Sequence, residues 1–165
     1  MIFHKEEEMG EVTHEQVNLM LRLYDIRREP VLREARGWYV ANFHPASMED
    51  VNRQAPMGSK QNAFVRMVLS YWEMAASIVN RGLIDEEFFF ENTGEQWVVW
   101  ERVRPIIEAW RSSYGNPHLF GHLEKHFRRL DAWREQRSPG LGEKMRGIMA
   151  QRPQAASKPK PGKKK

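Results

Sequence analysis

Cysteine is absent from the 165 residues, and that one gap excludes a disulfide scaffold, a cysteine-ligated zinc site, a thiol nucleophile and an iron–sulfur cluster together. It suits a reducing compartment without naming one. Long apolar runs are missing too: the stretch 65–79 is broken by Arg66, Ser70 and Glu73, which argues against a membrane span. The opening Met1-Ile2-Phe3-His4-Lys5-Glu6-Glu7-Glu8 passes from two apolar residues to acid where a secretory signal needs an apolar stretch, so no such signal is expected. Glycine-rich phosphate loops, alternating β-branched runs bounded by turns, and internal repeats of solenoid period are likewise lacking. These absences leave a cytoplasmic, all-α protein without a cofactor as the expectation.

Acid is scarce in one place only. The net charge is +4, but residues 151–165 hold Arg152, Lys158, Lys160, Lys163, Lys164 and Lys165 and no acidic residue. Removing those six from 26 basic side chains leaves 20 against 22 acidic ones, so the remainder carries −2. Attraction to anions therefore belongs to the C-terminal segment. Its lysine–proline composition reads as a disordered tail able to neutralise phosphates without reading base sequence, or else as a solubilising extension. Weak contact with nucleic acid or another polyanion through Lys158, Lys160, Lys163, Lys164 and Lys165 is the partner expectation, beside an unidentified protein partner.

With 41% hydrophobic residues the chain is long enough for one domain with a substantial core and too short for two. After a charged lead-in over 1–12, Thr13 and Gln16 form a capping box for a helix bearing Val17, Met20, Leu21 and Tyr24 on one face. Pro30 opens a second helix and His44-Pro45 closes it. The segment 46–58 is a loop with one helical turn at 48–53. The strongest pattern covers 59–90, where Phe64, Val68, Tyr71, Trp72, Ala75, Ile78 and Val79 recur at steps of three and four, Gly82 suits a left-handed C-cap and Asp85 caps a short helix. Phe88, Phe89 and Phe90 cannot all face one way on that helix. Residues 95–114 continue with Trp97, Trp100 and Trp110, kinked or tightened at Pro105, and 117–137 form the last strong helix. The predicted architecture is a single all-α bundle of five or six helices over 13–137, a short basic amphipathic helix within 138–150, and the tail 151–165. Most tryptophans and phenylalanines should be core.

The run Tyr71-Trp72-Glu73-Met74-Ala75-Ala76-Ser77-Ile78-Val79-Asn80-Arg81-Gly82-Leu83-Ile84-Asp85, followed by the tryptophan-rich stretch 97–111 centred on Val103-Arg104-Pro105-Ile106-Ile107, resembles an uncharacterised family of bacterial helical domains of unknown function. The similarity covers residues 19–130. It implies an all-helical fold and no catalytic residues. Such domains often stand behind an N-terminal membrane anchor; this sequence shows none, so membrane association is not carried over.

Three constellations remain. His118, His122 and His126 are spaced four apart on the predicted last helix, and an i, i+4 histidine pair with a carboxylate from elsewhere is a metal half-site; their place beside Leu119, Leu123 and Phe127 equally suits boundary residues of an apolar stripe. Arg111 and His118 have the separation of the Arg-x(4–6)-His motif of HEPN-type helical ribonucleases, although Gly115 and Pro117 set them on different helices. A small helical hydrolase, metal-dependent or ribonuclease-like, is thus the alternative to a binding or scaffolding module. Glu73, flanked by aromatics, is costly to bury without a partner, and a structural ion pair with Arg104 or Arg66 is the expectation.

Overall fold

A computed structural model describes residues 11–151; most of the charged lead-in and the tail beyond residue 151, with the lysines assigned to polyanion contact and the expectation of disorder, lie outside the described residues. Among the described residues the chain is all-helical and contains no strand. The described residues form nine helices: α1 (His14–Arg27), α2 (Pro30–Asn42), α3 (Met48–Gln54), α4 (Lys60–Asn80), α5 (Glu86–Asn92), α6 (Glu95–Val103), α7 (Ile107–Tyr114), α8 (Gly121–Arg137) and α9 (Leu141–Gln151). Five or six is therefore too few. The excess comes from short connecting helices and from Pro105, which lacks the N–H that a continuous helix would use; the chain tightens there through an Ile106 N–H to Val103 carbonyl bond of 3.0 Å and restarts as α7.

Local chemistry sets most boundaries. Thr13, Ser47, Ser59 and Asp85 each accept a hydrogen bond from the amide three residues on, as N-cap side chains do. Glu29 does the same for α2 ahead of Pro30. At the end of α4 the Gly82 N–H reaches the Val79 carbonyl at 2.9 Å and the Leu83 N–H reaches Ile78 at 3.2 Å. Those are the two bonds of a Schellman motif, and Gly82 has the positive φ of 72° it requires.

The core sits around α4, which packs against α2 on one side and α8 on the other, with α6 also lying against α8. Phe64, Val65, Val68, Leu69, Trp72, Ala75 and Ala76 are buried along it. Tyr39 and Tyr71 enter this core because their hydroxyls donate to the Val99 and Leu23 carbonyls at 3.0 and 2.8 Å, which removes the cost of burying a phenol. Phe89 and Phe90 are buried, while Phe88 is half-buried at the protein surface. Helix α1 contributes only Leu23 to the fully buried set, so Leu21 and Tyr24 remain exposed.

Candidate functional site

Glu73 points at the start of α8. Its two carboxylate oxygens accept the His122 and Leu123 amides at 3.0 and 2.7 Å. This corrects the expected pair with Arg104, whose guanidinium turns instead to Glu101 at 3.1 Å. The reason is local: Phe120 stands at the N-cap of α8 with φ 55° and supplies no side-chain acceptor, so the first-turn amides need one from elsewhere. A carboxylate there also faces the positive end of the helix dipole.

The three histidines part company. His118 is exposed in the turn before α8, because that helix begins at Gly121 and not at 117. His122 is half-buried, with Nδ1 at 3.2 Å from the Asn80 amide nitrogen. His126 is wholly buried between Phe89 and Phe90, in T-shaped contact at 5.3 and 5.1 Å, and neither ring nitrogen has a hydrogen-bond partner. Burial, with a smaller push from Arg129, lowers its pKa to about 4. The shared metal site imagined for one helix face is not assembled, and among the described residues no three His, Asp or Glu side chains are grouped as a metal ion requires. No hydrogen bond joins Arg111 to His118 either. The Arg111 guanidinium donates to the Leu119 carbonyl at 3.1 and 3.0 Å and to Glu124 at 2.7 Å, fastening the turn between α7 and α8.

Two polar centres escape a reading of the sequence. Glu95, at the start of α6, joins Arg36 and Arg27 and accepts the Trp72 indole N–H at 3.3 Å. Burial pushes its carboxyl up, but the hydrogen bond and charge of Arg36, with Arg27 and Trp72, outweigh that and leave it lowered. The second centre surrounds Asp131, which accepts the Trp97 indole N–H at 2.7 Å and pairs with Arg146 at 3.0 Å. Arg146 also reaches the buried Glu101 at 3.0 Å. No local pattern marks either centre, since their members are contributed by separate helices.

Two of the surface cavities lie beside phenylalanine side chains. One, of about 270 Å³, lies among α1, α4 and α5, with Met20, Leu21, Tyr24, Tyr71 and Phe88 in its walls. The other, of about 500 Å³, lies between the α5–α6 junction and the end of α8. Among the described residues no helix is long and apolar enough to cross a membrane. No curated protein and no solved structure matches the chain. The helices from α1 to the middle of α8, with the Glu73 cap and the Glu95 centre inside them, coincide with the matched span 12–130, and the chain belongs to the family described as a domain of unknown function, DUF4760.

Proposed function

We propose that this chain is a non-catalytic binding or scaffolding module whose lysine-rich segment makes weak, sequence-independent contact with nucleic acid or another polyanion. Charge segregation carries the reading: residues 151–165 hold six cations and no acid, and the rest of the chain is net negative. The folded body offers little competition, because Arg27, Arg36, Arg111, Arg129 and Arg146 are each held by a carboxylate. The hydrolase alternative has less support. Arg111 is occupied at the α7–α8 turn, His126 has no access to solvent, and Glu73 serves backbone amides. The test is titration of the full chain with fluorescent duplex DNA at several salt concentrations, beside a variant carrying Gln at positions 158, 160, 163, 164 and 165. Binding that disappears in the variant while the melting temperature holds is the expected result; equal binding by both would move the contact to the folded body and overturn the reading.

A further inference from the structure

Arg134, half-buried, differs from Arg27, Arg36, Arg111, Arg129 and Arg146, each of which is held by a carboxylate. Its guanidinium lies over the Trp97 ring at 5.7 Å, its Nη1 is buried, and that atom has no hydrogen-bond partner. No carboxylate lies within ion-pair distance, because the nearby Asp131 is taken by Trp97 and Arg146. Burial lowers the Arg134 pKa, with Asp131 only partly opposing the effect. Leaving one buried guanidinium nitrogen without an acceptor is costly, and stacking on an indole face offsets only part of that cost.

The surroundings bring the cation to a cavity. Arg134 lines the space of about 500 Å³ between the α5–α6 junction and the end of α8, together with Phe90, Trp133, Gly94, Arg137 and Leu141. A side chain at position 94 would collide with it: a Cβ on Gly94 would stand 2.8 Å from Arg134 Nη2. The guanidinium thus rests against the chain just before α6, the positive end of a helix dipole that has no side-chain cap. Of the two cations in the cavity wall, Arg134 alone stands outside an ion pair. Arg137 is held by Glu87 and faces Glu91, itself in the cavity wall, at 3.8 Å.

We infer that this cavity binds the carboxylate of a small organic acid with an apolar body, with Arg134 as the anion's partner and Phe90, Trp133 and Leu141 as the apolar walls. The charges in the wall select the class. One guanidinium outside an ion pair suits a monoanion, whereas a phosphate dianion would need a second cation and would meet the Glu91 carboxylate, and Arg137 is already shared between Glu87 and Glu91. A planar guanidinium also matches the two oxygens of a carboxylate.

The probe is benzoate, titrated into the full-length protein and followed by tryptophan fluorescence, since Trp133 lines the cavity and Trp97 lies under Arg134. Saturable binding is expected, with benzamide and inorganic phosphate each weaker by roughly tenfold or more because one lacks the charge and the other mismatches it. Arg134→Gln should weaken benzoate by a similar factor. Gly94→Ala keeps the charge and displaces only the tip of a flexible side chain, so it should leave the melting temperature nearly unchanged and still weaken benzoate. Absence of benzoate binding to the native chain, phosphate binding as tight as benzoate, or unaltered benzoate affinity in Gly94→Ala would each overturn the assignment.

Discussion

Glu73 and His126 both withdraw an ionisable group from water and resolve the cost in opposite ways. Glu73 keeps hydrogen-bond donors, the two amides of α8; removing an N-terminal acceptor of this kind costs about 2 kcal/mol, at the upper end for caps because both oxygens are used. Glu73→Ala should therefore lower the free energy of unfolding in urea by about that amount, with Glu73→Gln intermediate because one acceptor survives. A loss below about 0.5 kcal/mol, the level of ordinary surface changes, would mean that the cap contributes nothing. His126 has no partner and stays neutral. Its pKa is depressed to about 4 from an ordinary 6.5, so between those values the unfolded chain binds a proton that the folded protein refuses. Its contribution is fully present above pH 6.5 and is lost as the pH falls through this window. The resulting loss is about 2 kcal/mol between pH 7 and 5, where carboxylates are still largely ionised. Unfolding curves at the two pH values should show this loss in the native chain and much less of it in His126→Leu; an equal loss in both would assign the acid sensitivity to other groups.

Helices communicate here through carboxylates, and Glu95 is the clearest case. It brings α6 to α1 through Arg27 and to α2 through Arg36, with 15% of its side chain exposed. Glu95→Ala would leave two arginines without their shared counter-ion, at a cost of about 3 kcal/mol. Because the Glu95 carboxyl is lowered in the folded protein, its contribution is present above the ordinary glutamate range and is lost as the pH falls below it. Thermal unfolding of the variant at neutral pH tests the first statement, and its flatter stability profile below pH 4.5 tests the second. Caps and breaks of these elements are legible in the sequence, because Thr13, Ser59, Gly82, Asp85 and Pro105 act within four residues of themselves. The start of α8 is not, since Phe120 takes a left-handed backbone that no residue type at that position announces. The ion pairs fail for a related reason. Glu95 and Arg36 are 59 residues apart and Glu73 and Leu123 are 50 apart, so their meeting depends on how α2, α4, α6 and α8 pack. Arg134 hides in the same way: its lack of a partner emerges only once Asp131 is seen to be occupied by Trp97 and Arg146.

At the scale of the whole molecule, charge divides between a nearly balanced body and a cationic segment at 151–165. With six cationic side chains there, the slope of log K against log salt for duplex DNA should be no steeper than about −5; a steeper slope in the titration would recruit arginines of the body. Sequence preference should be slight, because the segment contains no aromatic residue to stack on bases. The Glu73 cap reaches beyond energy into the order of assembly. A helix that carries its own N-cap can begin before its neighbours arrive, and α4 does so with Ser59. Helix α8 borrows its acceptor from α4, so its first turn acquires a complete set of hydrogen bonds only after the two helices meet. In time, then, α4 should come first: a peptide of residues 58–80, which includes the Ser59 cap, should retain more of its initiating turn than one of residues 117–137, and the second half of the bundle takes its starting point from the first.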